Sequence, residues 1–88
     1  MTPFIRLHPA DDVVIARAQL VGGTTVEGVA VRGLIPAGHQ VAMRALATGE
    51  PVRRYDQLIG FASKATSPGE RVHTQNLNLC PLYPSAAA

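Results

Sequence analysis

The sequence predicts a small all-β domain of short strands. Three observations carry that prediction. Long runs with apolar residues at i, i+3, i+4 and i+7 are missing, so helical evidence is thin. A glycine followed three residues later by valine recurs four times, in Gly23-Thr24-Thr25-Val26, Gly38-His39-Gln40-Val41, Gly49-Glu50-Pro51-Val52 and Gly69-Glu70-Arg71-Val72. The segments between these turns are rich in β-branched residues or alternate in polarity.

The turns set the strand boundaries. Three of them follow a small or turn-forming pair, Pro36-Ala37, Ala47-Thr48 and Ser67-Pro68. Glycine at the third turn position supplies the positive φ of a type II turn, and proline suits the second. Each valine then starts a short strand and points inward. The glycines are spaced 11 to 20 residues apart, too irregularly for a solenoid. Residues 13–16 and 26–31 read as strands. Residues 41–46 alternate, with Val41, Met43 and Ala45 on one face. Residues 58–62 read as a strand buried on both faces. Short helical turns are expected over residues 45–48 and 55–58. Residues 1–79 form one domain. Residues 80–88 (CPLYPSAAA) are a Pro/Ala tail with no core signal, expected to be held by packing, including against a second copy.

With 88 residues the chain holds one small domain, which buries only about 60–65% of its unfolded surface and gains from a partner. Apolar residues make up 47% and charged residues 16%, which excludes a disordered chain and points to surface covered by another chain. That composition predicts a homodimer for the isolated chain. The net charge is only +2 and the cations are scattered, so no nucleic-acid partner is expected. The lone Cys80 excludes an internal disulfide and a thiolate metal cage, and fits a reducing compartment. No stretch reaches 18 apolar residues, so no membrane span is expected. The start, MTPFIRLHPADD, lacks a basic region followed by an apolar core, so no signal peptide is read and a cytoplasmic location is expected.

Several adjacent pieces carry a resemblance. They are the run from Leu7 and His8 to Val13; Ile35-Pro36-Ala37-Gly38-His39 through Arg44; Gly49-Glu50-Pro51-Val52 with Arg54 and Tyr55; Ile59-Gly60; and Gly69-Glu70-Arg71-Val72-His73 with Asn76-Leu77. In order and spacing they resemble the small N-terminal domain of the altronate and galactarate dehydratase family, and the sulfolactate sulfo-lyase small subunit is similar. The resemblance covers roughly residues 5–78. It implies an SAF domain with a β-clip fold. It further implies a role in dehydrating a sugar acid to a 2-keto-3-deoxy acid, with a divalent metal, iron or manganese, assisting on a large catalytic partner. No cofactor is expected on this chain alone.

The chain departs from the family pattern at three places. Gly38-His39-Gln40 stands where Gly-His-Lys is common, and Arg54-Tyr55-Asp56 where Lys-Tyr-Gly is common. His73-Thr74-Gln75-Asn76 stands where His-x-His-Asn is common. The last change removes an imidazole that could serve as ligand or proton carrier.

His39 and His73 are the candidate catalytic residues, as proton carriers or contacts to the substrate. The alternatives are a hydrogen-bonded turn histidine and a polar edge strand. Arg54, Tyr55, Gln75, Asn76 and Arg44 are the candidate substrate-binding residues, because a guanidinium holds a carboxylate bidentately and the others offer hydrogen bonds. For the arginines, Arg53 included, the alternative is a solvated cation. Residues 73 and 75 are expected to share a strand face. Gln75 is a weak ligand for a transition metal, so no metal ligand is assigned. Asp11 and Asp12 read as turn-shaping carboxylates before the strand at Val13 rather than an acid–base pair. His8 with Asp11 lacks a third ligand, and Cys80 lacks a neighbouring base.

The reading is an accessory small subunit or domain of a sugar-acid hydro-lyase, not catalytic alone, covering the active site of a large partner. The other class left open is a non-catalytic SAF module that binds a carbohydrate or a protein. If the chain does close over an active site, His39, Arg54, Tyr55, His73, Gln75 and Asn76 are expected on one surface.

Overall fold

In the computed structural model, which describes residues 3–79, the repeated turn is built as its residues dictate. Gly23, Gly38, Gly49 and Gly69 all have φ between 85° and 92°. Each stands third in a four-residue turn closed by a backbone hydrogen bond: Thr24 N to Val21 O, His39 N to Pro36 O, Glu50 N to Ala47 O and Glu70 N to Ser67 O, at 3.0–3.1 Å. Such a φ at the third position is what a type II turn demands and what glycine adopts without steric cost. The four valines that follow, Val26, Val41, Val52 and Val72, are all buried.

Nine short strands result: β1 (Phe4–Ile5), β2 (Val13–Ala16), β3 (Thr25–Val26), β4 (Val29–Ala30), β5 (Gln40–Ala42), β6 (Pro51–Arg54), β7 (Gln57–Ala62), β8 (Arg71–Val72) and β9 (Leu77–Leu79). All pairings are antiparallel. A central sheet runs β1-β2-β5-β8, flanked by the hairpin β3-β4 and a sheet β6-β7-β9. The described residues contain no helix, and so none long and apolar enough to cross a membrane.

The central sheet is buried on both faces. Successive strand residues point to opposite sides, and β2 and β5 use both. Val13, Ala42 and Val72 face Leu46, Val52, Ile59, Ala62 and Leu77 from the β6-β7-β9 side. Val14, Ala16 and Val41 face Leu20, Val26, Val31 and Ile35 from the β3-β4 side, with Phe4 and Met43 packed at the margin. A strand that feeds two cores reads as an unbroken apolar run, which is why Val13, Val14, Ile15 and Ala16 show no alternation.

The two flanking units are copies of one arrangement. Leu20 exchanges two backbone hydrogen bonds with Ile35, and Leu46 does the same with Thr66, all at 2.8 Å. Gly23 N bonds Val31 O as Gly49 N bonds Ala62 O, and Gly38 N bonds Ala16 O as Gly69 N bonds Ala42 O. The unit from β2 to β5 is thus repeated from β5 to β8, with β5 shared. The second copy has the longer hairpin.

Some sequence expectations are corrected. Residues 45–48 and 55–58 are not helical. The first holds the bridge residue Leu46 and part of a turn. The second lies in the hairpin between β6 and β7, turned by Tyr55 and Asp56 at φ 55° and 57°. Val41 and Met43 pack on one core and Ala42 on the other, as alternation expects, but β5 stops at Ala42, so Ala45 lies beyond the strand and is exposed. β7 is buried on one face only, because Phe61 is 42% exposed. The tail at residues 80–88 lies outside the described residues.

Candidate functional site

His39 occupies the fourth position of its turn, where Glu50 and Glu70 stand in two of the others. Each of those glutamates accepts a hydrogen bond from the first residue of its turn, Ala47 N at 2.6 Å and Ser67 N at 2.5 Å. The turn at residues 36–39 begins with Pro36, which has no N–H to give. A carboxylate would have nothing to hold there, and the imidazole of His39 is left to interact elsewhere.

It stacks on His73. β5 and β8 pair Gln40 with Val72, so the next cross-strand neighbours are His39 and His73. Their ring centroids lie 5.0 Å apart with planes inclined by 25°. The Nδ1 atom of His39 is buried without a hydrogen-bond partner, while Nδ1 of the exposed His73 lies 3.3 Å from Thr74 Oγ1.

β8 ends at Val72, and residues 73–76 form a turn closed by Asn76 N to His73 O at 3.0 Å. His73 and Gln75 therefore do not share a strand face, contrary to the sequence expectation. Gln75 instead turns back, its Oε1 lying 3.5 Å from Arg71 Nη2. Asn76 is buried. Its Oδ1 accepts from His73 N at 2.8 Å, and its Nδ2 donates to Arg71 O at 2.9 Å and Thr66 Oγ1 at 3.4 Å. The Asn76 amide braces the backbone beneath His73 and is not presented to a ligand.

The other candidates lie elsewhere. Arg54 and Tyr55 flank and form the tip of the β6-β7 hairpin. That tip is fastened to the loop before β2: Asp56 N donates to Asp11 Oδ1 at 2.8 Å, and Arg53 N to Asp12 Oδ2 at 2.8 Å. Arg44 joins the same network, with Nε on Asp12 Oδ1 at 2.8 Å and Nη1 on Glu50 at 3.1 Å. These two acids lower the freedom of Arg44 to take a further carboxylate and raise its pKa, chiefly through the Asp12 hydrogen bond. His39 is at the far end of β2, where its carbonyl accepts from Ala16 N at 2.9 Å. Asp12 and Ala16 are about 13 Å apart at ~3.3 Å per strand residue. The structure thus brings His39 and His73 together, with Gln75 in the turn that His73 opens, and places Arg44, Arg54 and Tyr55 at the other end of the strand.

Asp11 and Asp12 shape the turn before β2 as expected, Asp11 accepting from His8 N at 3.1 Å. They also hold two hairpin amides distant in sequence. No group of three His, Cys, Asp or Glu side chains among the described residues could hold a metal ion. The two imidazoles meet as stacked rings, and no third ligand completes a set with them among the described residues. The donor set at this site does not fit a resident metal.

One residue of this surface was missed in the sequence. Arg71 precedes His73 by two residues and stands opposite Val41 in the β5-β8 register, diagonal to His39. An arginine two places before a candidate histidine was the signal.

The architecture is that of a small, internally duplicated β module with a stacked histidine pair where β5 meets β8. The chain belongs to the family described as the altronate/galactarate dehydratase SAF domain, which it matches over residues 2–79. It is 34% identical to altronate dehydratase of Escherichia coli (strain K12) over 77 residues, covering 83% of this chain and 16% of that one. It is 29% identical to altronate dehydratase of Bacillus subtilis (strain 168) over 80 residues, covering 86% and 16%. The chain thus spans about a sixth of the length of these two relatives. With (2R)-sulfolactate sulfo-lyase subunit alpha of Chromohalobacter salexigens it is 31% identical over 83 residues, covering 81% of this chain and 88% of that subunit.

Proposed function

We propose that this chain is the accessory SAF domain of a sugar-acid hydro-lyase, covering the active site of a large catalytic partner and helping to bind the acid substrate. The observation that carries the reading is the stack of His39 on His73. Two imidazoles from separate turns meet on one surface, and neither ring is needed to close its own turn. Facing a bound polyhydroxy acid, such a pair would hold or move a proton at the departing hydroxyl. The relatives support the larger frame, since two carry the matched region within a much longer dehydratase and the third is named as one subunit of a lyase. The divalent iron or manganese that the family reading expects belongs with the partner.

The test is reconstitution. The chain is co-purified with the large dehydratase chain from its source, and dehydration of altronate and galactarate is measured together with release of sulfite from sulfolactate. The isolated chain is expected to be silent and the complex active. His73→Ala is expected to lower activity of the complex about tenfold or more, as loss of a proton-transferring or orienting group does. Full activity of the large chain, unchanged on adding this one, would remove the accessory role and leave a carbohydrate- or protein-binding module.

A further inference from the structure

The cations of this domain are not equally available. Arg6 is neutralised by Glu27 at 2.8 Å, and Arg44 by Asp12 and Glu50. Arg17, Arg32, Arg53, Lys64 and Arg71 have no acid within salt-bridge distance among the described residues, and of these Arg71 is the one next to the histidine pair in the β5-β8 register. Its guanidinium meets only the neutral Oε1 of Gln75, at the outer limit of a hydrogen bond. The neighbouring Glu70 is already engaged by Ser67 N. Arg71 is half-buried, and its backbone is fixed on both sides, by β5 through Val41 and by the Asn76 amide on its carbonyl. On the same surface, the buried Nδ1 of His39 has no partner. A guanidinium without an acid, the Gln75 amide beside it and two stacked imidazoles make a surface short of one anion.

We propose that Arg71, with Gln75 and the His39/His73 stack, captures the carboxylate or sulfonate group of the substrate acid, a task the sequence had assigned to Arg44 and Arg54. The guanidinium takes the oxyanion with its planar fork, as an arginine does when no internal acid competes. Gln75 orients the fork from one side, and the imidazoles border the acid on the other. Arg44 and the hairpin tip with Arg54 hold the opposite end of β2 together. This assignment rests on the histidine surface being the one that faces the substrate.

Anion capture is read on the isolated, isotope-labelled chain, independently of any partner. The chain is titrated at neutral pH with altronate and with (2R)-sulfolactate, and with altritol as a neutral control, while backbone amide, Arg Nε–H and imidazole resonances are followed. Saturable shifts at Arg71, His39 and residues 73–75 are expected with both acids and none with altritol. Arg71→Gln is expected to weaken binding at least tenfold, and Arg44→Gln to leave it unchanged. Arg71→Lys, which keeps the charge and loses the fork, is the second variant, and partial loss is expected. Equal binding by the wild type and both Arg71 variants would overturn the proposal. So would shifts centred on Arg44 and Tyr55, or no saturable response to either acid. Anion binding that survives while reconstitution fails would leave this site standing and remove the accessory role.

Discussion

Gly69 lies against Ala30 with no room for a side chain: a Cβ on Gly69 would overlap the Ala30 carbonyl oxygen. The contact joins the turn before β8 to the hairpin of the first repeat, and Gly69 O accepts from Arg32 N there at 2.9 Å. Gly69 also has φ 89°. Gly69→Ala therefore meets backbone it cannot displace as well as an unfavourable φ, and is expected to cost about 3 kcal/mol or more in urea unfolding. Gly49 has φ 88°, but a Cβ there would meet nothing within 4 Å, so it isolates the conformational part. Gly49→Ala is expected to cost about 1–2 kcal/mol. Equal costs for the two variants would contradict the packing account.

Asp11 is a structural carboxylate. It is buried and accepts from His8 N and Asp56 N, so it secures the strained Tyr55 and Asp56 turn as well as its own. Asp11→Ala leaves two amides without their acceptor and is expected to lower stability by about 2–3 kcal/mol. Anion binding at the histidine surface should persist in the folded fraction, as judged by the same titration.

Asn76 separates bracing from binding in the same way. Asn76→Ala removes three hydrogen bonds from a buried position and is expected to destabilise by about 2–3 kcal/mol, measured by denaturant unfolding. Asn76→Asp keeps the acceptor for His73 N but sets a buried carboxylate oxygen against Arg71 O, so a loss at least as large is expected.

Acid sensitivity follows from two glutamates. Glu27 is held below the usual carboxylate range mainly by the side-chain hydrogen bond from Arg6, against some desolvation. Glu50 is held low mainly by the Ala47 N–H and then by Arg44. A carboxylate whose folded pKa is depressed stabilises at pH values above its unfolded pKa, and that contribution is lost as pH falls through the folded one. The melting temperature is thus expected to be level from neutral pH to about 5 and to fall below about 4.3. The double variant Glu27→Gln, Glu50→Gln should show a shallower fall. An identical acid limb would refute this origin.

Much of the fold was legible because it depends on local chemistry. A glycine that must take positive φ, followed by a valine that must leave water, marks each turn and strand start without reference to the rest of the chain. The hairpin at Tyr55 and Asp56 escaped notice for the converse reason. Two non-glycine residues at positive φ carry no local signal, and the turn stands because Asp11, distant in sequence, accepts the Asp56 amide. The exposure of Phe61 was equally hidden, since an apolar run does not say which face a neighbouring sheet covers.

From residues in order alone came the all-β class, the four glycine turns with their buried valines, the family and the two histidines as candidates. Which polar residues meet was settled in three dimensions. The register of β5 on β8 sets His39 beside His73, because antiparallel pairing fixes neighbours across strands regardless of their separation along the chain. Charge pairing then divided the arginines: Arg44 falls between Asp12 and Glu50, whereas Arg71 faces no acid among the described residues. Composition counts cations alike. Only the positions of the carboxylates in space distinguish one already neutralised from one left to bind an anion.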